Sequence, residues 1–122
     1  MTRILVADDN PVSRELVREL LESPDREILE ASQGAEALEM IAEFSPELVL
    51  LDIQMPLVDG YAVVRRLRQD PRFAGLRVVA LTAYAMQGDR QRALSAGFDD
   101  YITKPIDGAA LRKRVEALVN TP

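Results

Sequence analysis

Cysteine and histidine are both absent from this chain of 122 residues. Without cysteine there is no disulfide and no thiolate metal site. Without histidine the chain lacks the usual general base, the usual zinc ligand and any Ser/His or Cys/His catalytic couple. Positive charge is in short supply: 15 Lys and Arg stand against 20 Asp and Glu, a net charge of -5. That balance argues against a nucleic-acid or anionic-membrane surface, because a phosphate backbone calls for a basic stripe, and it favours protein partners or small ligands. Long apolar runs are missing too. No unbroken apolar stretch exceeds four residues, far short of the length that spans a bilayer. No secretory signal precedes the first apolar run, so a cytoplasmic location is expected.

What is present has an ordinary globular balance, 48% hydrophobic with 29% charged, and we expect one domain over residues 1–122 that buries roughly two-thirds of its unfolded surface. Short apolar runs alternate with longer segments of helical periodicity, the pattern of repeated β-α units around a parallel sheet. Candidate strands run from Ile4 to Ala7, Ile28 to Ala31, Leu48 to Leu51, Val78 to Leu81 and Tyr101 to Thr103. Three of them are continuously apolar, as expected for strands covered on both faces.

Five helices are expected between and after these strands. The first is capped by Asn10, begins at Pro11 and ends near Ser23, with Val12, Leu16, Val17, Leu20 and Leu21 as its core stripe. The second spans about Ala35 to Phe44 with Ala37, Leu38 and Ile41 inward. The third spans about Tyr61 to Gln69 with Val63, Val64 and Leu67 inward. The fourth covers about Met86 to Ala96 with Gly97 as its C-cap, and the fifth about Asp107 to Val119.

In an open parallel sheet, ligands bind at the carboxyl ends of the strands where the strand order reverses. Here the first apolar run ends in Asp8 and Asp9, the third in Asp52 and the fourth in Thr82, and Lys104 follows the fifth. The second ends in Ser32 with no charge, which fits an edge strand. If the strand order is 2-1-3-4-5, the three aspartates converge on one crevice. Clustered carboxylates repel one another unless a hard divalent cation sits among them, and an all-oxygen site suits Mg²⁺, or Mn²⁺ in its place. With the Lys104 ammonium and the Thr82 hydroxyl facing that cation, the set suits phosphoryl transfer, with Asp52 as nucleophile. Lys104 is one of only two lysines against thirteen arginines, and a compact point charge suits a tight phosphoryl site. The remaining acids Asp59, Asp89, Asp99, Asp100 and Asp107 are expected to be turn residues or helix caps.

The segments ILVADDNP at 4–11, LVLLDIQMPLVDG at 48–60, VVALTA at 78–83 and DDYITKP at 99–105 cover every β-α unit except the second. Together they resemble the receiver domain of bacterial two-component response regulators, of the single-domain, chemotaxis-regulator-like kind. The resemblance implies a flavodoxin-like α/β fold: a doubly wound, five-stranded parallel sheet in the order 2-1-3-4-5, with five helices. It implies that Asp52 takes a phosphoryl group from a phosphohistidine on a sensor kinase or phosphotransfer protein. Asp9 and Asp52 would ligate Mg²⁺ directly, Asp8 through water, and the backbone carbonyl of Gln54 would complete the set. Thr82 and Lys104 would bind phosphoryl oxygens, and Thr82 and Tyr101 would act as the switch that alters the face made by helix four, strand five and helix five. The resemblance also implies a cis Lys104–Pro105 bond. Gln54 and Tyr84 would flank the path of hydrolytic water, with Tyr84 slowing dephosphorylation. Phe98 is bulkier than is common in the family and is expected to alter the exit of helix four.

Rival functions fit less well. A haloacid-dehalogenase-type phosphatase wants an acid two residues after its nucleophile, where this chain has Gln54, and a cap domain. A flavodoxin-like cofactor carrier wants a hydroxyl- and glycine-rich loop after the first strand, where Asp8 and Asp9 would repel a phosphate. A scaffold that has lost phosphorylation is at odds with the intact set of five. The expected protein is therefore no enzyme beyond promoting its own phosphorylation and dephosphorylation. With no DNA-binding or enzymatic segment after the fifth helix, its output is expected through a downstream target protein, without direct nucleic-acid or membrane binding.

Overall fold

The computed structural model describes residues 1–83 and 87–119. Five parallel strands form one sheet: β1 (Thr2–Ala7), β2 (Arg26–Ala31), β3 (Leu48–Asp52), β4 (Arg77–Thr82) and β5 (Asp100–Thr103), in the order β2-β1-β3-β4-β5. The helices are α1 (Pro11–Leu21), α2 (Gly34–Phe44), α3 (Gly60–Gln69), α4 (Asp89–Ala96) and α5 (Gly108–Val119), with a short 3-10 turn at Pro71–Phe73. The fourth helix, expected from about Met86, is corrected to begin at Asp89, because Gly88 stands at φ 89° before it; Met86 itself and Tyr84 lie outside the described residues.

Alternation along the central strands sends neighbouring residues to opposite faces. Ile4, Val6, Leu48, Leu50, Val79 and Leu81 meet Val17 and Leu21 of α1 and Leu111 and Val115 of α5. Leu5, Ala7, Val49, Leu51, Val78 and Ala80 form the other core with residues of α2, α3 and α4. All five residues of β3 are buried, whereas the edge strand β2 is buried only at Ala31.

Asn10 caps α1 by accepting from the amides of Val12 and Ser13, with Pro11 at the first turn. The expected core stripe of α1 needs correction. Val17 and Leu21 are buried, but Val12 is 75% and Leu16 44% exposed. Neither joins the core that Val17 and Leu21 enter, and Leu16 lies instead beside Lys104, Pro105 and Ile106 of the loop after β5. Gly97 ends α4 at φ 121°, a conformation glycine reaches without strain, and its amide closes onto the carbonyls of Ala93 and Leu94.

Of the acids expected at turns or caps, Asp99 stands in the bend before β5 as expected, whereas Asp100 is corrected to a strand residue. Asp59 caps α3 through the Ala62 amide, and Asp107 accepts from Ala109 and Ala110. Asp99 instead accepts from the Val78 amide at 2.7 Å and pairs with Arg68 at 2.9 Å, and Asp100 opens β5 and pairs with Arg114. Both tie elements together across the fold rather than ending one. Phe98 is buried and meets Tyr61 edge to face at 6.0 Å.

Candidate active site

The carboxyl ends of β1 and β3 are neighbours in the sheet, Ala7 pairing with Leu51, so the next residues, Asp8 and Asp52, lie side by side. Asp8 is fully buried, Asp52 is 5% exposed and Asp9 faces solvent. Carboxylate oxygens of Asp8, Asp9 and Asp52 all lie within 4.8 Å of one another. Local backbone geometry holds the first and last in place: Asp8 Oδ1 accepts from the Asn10 amide at 2.9 Å, and Asp52 Oδ1 from the Gln54 amide at 2.9 Å. Gly60 lets α3 start directly over the end of β3. A Cβ at that position would lie 2.7 Å from the Asp52 carbonyl oxygen and from Ile53 Cα, closer than any side chain fits.

Lys104 reaches the cluster from the loop after β5. Its ammonium is 2.8 Å from Asp8 Oδ2 and 3.2 Å from Asp52 Oδ2. Its own amide donates to the Thr82 carbonyl at 2.8 Å, and the Lys104–Pro105 bond is cis, as the sequence resemblance implied. Thr82, 2% exposed, follows the Leu81 that pairs with Asp52. It lines a cavity of about 260 Å³ together with Gln54, Tyr61, Asp89, Arg92 and Tyr101. Tyr101 is 7% exposed, its ring turned into the fold.

Burial pushes the Asp52 carboxyl up to about 6; the Gln54 amide opposes the rise, the neighbouring Asp8 adds to it, and Lys104 works against it. Burial works to lower the Lys104 ammonium, but the hydrogen bond to Asp8 and the two aspartate charges outweigh it and raise it. The Tyr101 phenol is raised by burial and by the Asp89 charge. The site therefore holds more acid than one ammonium can balance. Three compact oxygen donors with excess negative charge fit a hard divalent cation, and the Lys104 ammonium already occupies a cationic place between two of them.

The geometry brings Asp8, Asp9, Asp52 and Lys104 together and sets Thr82 and Tyr101 along the neighbouring cavity. Gln54 meets the cluster through its amide, while its side chain is exposed. Sequence reasoning missed Arg14, whose guanidinium donates to the Asp8 carbonyl at 2.7 Å and pairs with Glu30 at 3.2 Å. It also missed Arg92, which lies 4.8 Å over the Tyr61 ring beside Thr82. A charged residue in a helical segment carries no sign of which strand end it will meet.

Residues 4–116 match the family described as the response regulator receiver domain. The chain is 38% identical over 103 residues to the polar-differentiation response regulator DivK of Brucella ovis, which covers 84% of each chain. It is 38% identical over 119 residues to the DNA-binding dual master transcriptional regulator RpaA of Synechocystis, where 98% of this chain matches 49% of that protein, so it spans about half the length of that relative. Among solved structures it is similar to the receiver domain of the sensor histidine kinase PA1611 of Pseudomonas aeruginosa, with a TM-score of 0.89, 30% identity and 98% of both chains covered. That structure has a magnesium ion coordinated in its active-site cleft.

Proposed function

This chain belongs to the response regulator receiver domains, the phosphoryl-accepting signalling domains of two-component systems, and from that premise we propose that Asp52 is the residue that is phosphorylated. The observation that carries the proposal is the meeting of Asp8, Asp52 and Lys104, from three separate strand ends, in one crevice. An Asp52 carboxylate oxygen attacks the phosphorus of a phosphohistidine, a new P–O bond forms as the P–N bond breaks, and the imidazole leaves with the electron pair. The histidine comes from a sensor kinase or phosphotransfer protein, since this chain has none.

Asp9, Asp52 and the Gln54 carbonyl would hold Mg²⁺, with Asp8 acting through water. The ion supplies positive charge against the incoming phosphoryl oxygens. Lys104 and the Thr82 hydroxyl bind the oxygens left facing the protein. Before transfer, the Lys104 ammonium keeps Asp8 and Asp52 close together, so the acceptor oxygen is held in place in advance. Thr82 and Tyr101 share a cavity, so a shift of Thr82 toward the phosphoryl group changes the space open to the Tyr101 ring. That couples Asp52 to the surface of α4, β5 and α5, where a downstream target protein docks. The domain catalyses nothing beyond its own phosphorylation and dephosphorylation. No helix among the described residues is long and apolar enough to cross a membrane. We place the domain's action in the cytoplasm, and the net charge of -5 favours protein partners over direct nucleic-acid binding.

Intact-mass spectrometry after incubation with a small acyl phosphate and Mg²⁺ tests this reading. One added phosphoryl group, lost in Asp52→Asn, is expected. A mass gain that persists in the variant assigns the acceptor elsewhere.

A further inference from the structure

The three carboxylates of the crevice are not held equally. Asp8 is fixed by the Asn10 amide and by Lys104, and Asp52 by the Gln54 amide and by Lys104. The Asp9 carboxylate faces solvent and has no hydrogen bond or ion pair among the described residues. What sets its direction is the backbone on either side of it. On the following side the Asn10 amide is tied to Asp8 Oδ1 at 2.9 Å, and Asn10 itself caps α1. On the preceding side the Asp8 carbonyl, which shares a peptide plane with the Asp9 amide, accepts from Arg14 Nη1 at 2.7 Å.

The sheet explains why this carbonyl takes a side-chain donor. Beyond the last paired residues of β1 and β2, Ala7 and Ala31, the Asp8 amide still donates to the Ala31 carbonyl at 3.1 Å. There β2 ends, and the next amide, that of Ser32, donates to the Glu36 carboxylate at 2.6 Å. The ladder therefore stops short of the Asp8 carbonyl. Asp8 is fully buried, and a buried carbonyl needs a donor; Arg14 supplies it.

Arg14 is itself held. Its Nε donates to Glu30 Oε1 at 3.2 Å, with the two side chains only 20% and 32% exposed. Glu30 lies opposite Val6 in the sheet, and Val6 packs against α1, so Glu30 faces α1 too. Its second oxygen takes Arg18, one turn along the same helix face, at 3.4 Å. A guanidinium offers separate N–H groups in a rigid plane, so Arg14 serves the carbonyl and the carboxylate together.

We propose that Arg14 is a positioning residue for the metal site: through the Asp8 carbonyl it sets the peptide between Asp8 and Asp9, and so the direction in which the Asp9 carboxylate is presented to Mg²⁺. Glu30 holds Arg14 in place for that task. The proposal rests on the reading of Asp9 as a direct Mg²⁺ ligand. It carries a sign that charge alone would reverse. Arg14 is a cation near a cation site, so by charge its removal tightens Mg²⁺ binding, whereas by position its removal loosens it. Position dominates, because Glu30 at 3.2 Å already offsets the Arg14 charge, while loss of a partner that orients a metal ligand costs about 10–100-fold in affinity.

Calorimetric titration with Mg²⁺ tests this on the parent, Arg14→Gln, Glu30→Ala and the double variant, with circular dichroism to show that each is folded. Arg14→Gln is expected to weaken Mg²⁺ binding by about tenfold and to raise by the same factor the Mg²⁺ concentration that half-saturates labelling of Asp52. Glu30→Ala is expected to weaken it by less, since Arg14 is freed but present, and to add nothing on top of Arg14→Gln. A role confined to stability lowers the melting temperature and leaves the affinity of the folded protein unmoved. Affinity unchanged or tighter in folded Arg14→Gln, with Asp52 labelled and Mg²⁺ bound by the parent, overturns this proposal alone. A loss from Glu30→Ala that adds in full to that of Arg14→Gln also overturns it. If Arg14→Gln fails to fold, unchanged affinity in Glu30→Ala overturns it instead. A parent that binds no Mg²⁺ overturns the metal site and this proposal together. Mg²⁺ binding that shifts as expected in a protein whose Asp52 is never labelled overturns the phosphorylation reading alone.

Discussion

Asp8 and Lys104, 96 positions apart in the chain, meet at 2.8 Å with Asp8 fully buried. A buried carboxylate without a partner is strongly unfavourable, so this pair holds the first and last β-α units together at the crevice. On the proposed reading it also sets up a competition, because the same ammonium that steadies Asp8 and Asp52 stands where positive charge would enter for phosphoryl transfer.

Asp52→Asn is expected to stabilise the metal-free fold at neutral pH by about 1–3 kcal/mol. The change removes an ionised group whose carboxyl is pushed up to about 6 by burial and by Asp8, and Lys104 keeps Asp8 as its partner. The shift in urea midpoint at constant slope measures the effect. An unchanged or lower midpoint would show that Asp52 sits in the fold without strain.

The pH dependence follows from the same shift. The folded carboxyl at about 6 lies above its ordinary value of 3.8, so between those values the folded state binds the extra proton. The stability that Asp52 contributes is full below about 4 and is lost as pH rises through 6. Mg²⁺ needs the ionised form, so its stabilising effect should grow across pH 5 to 7. Asp25 and Asp70, whose carboxyls are lowered, titrate with the opposite sign. The quantity to plot is therefore the melting temperature of the parent minus that of Asp52→Asn, with and without millimolar Mg²⁺. A difference independent of both pH and metal would falsify the assignment.

Lys104→Ala should separate two roles. Labelling by a small phosphodonor falls by at least about tenfold, because a positive group facing the phosphoryl oxygens is gone. Mg²⁺ binding tightens, because the competing cation is removed from between Asp8 and Asp52. Stability without metal drops by about 1–3 kcal/mol as Asp8 loses its partner. Calorimetric titration with Mg²⁺ reads the second effect, and weaker metal binding in the variant contradicts the competition.

Leu57→Asn is expected to stabilise the domain by about 0.5–1 kcal/mol. Leu57 stands at φ 68° and is 95% exposed, so it pays for a left-handed backbone with no burial in return, whereas Asn tolerates that conformation. Thermal or denaturant unfolding measures the gain. Asp52 labelling by a small phosphodonor should be unchanged, and a loss of stability would mean that the Leu57 side chain makes contacts its exposure conceals.

The strand and helix pattern was legible because it rests on periodicity. Continuous apolar runs marked β1, β3 and β4, and the observed strands extend each by one or two residues. The stripe of α1 was misread at Val12 and Leu16 because helical spacing marks a face of the helix and says nothing of how much of that face its neighbours cover. Asp100 was misread for a related reason. An acid in a short polar stretch suits a turn, and only the packed fold sets Asp100 in β5 and brings Arg114 to its carboxylate.

The sequence by itself determined the order of β-α units, the clustering of acids at strand ends, the placing of Lys104 directly after the last strand and, through four joint motifs, the family. Each of these depends on neighbours within a few residues or on the identity of a side chain. The tertiary structure alone decided that Lys104 bridges Asp8 and Asp52, that Arg14 braces the Asp8 carbonyl, and that Glu30 in turn holds Arg14. Such contacts depend on distances between segments far apart in the chain. Those distances are set by sheet order and helix packing, in which every residue takes part and which no local pattern encodes.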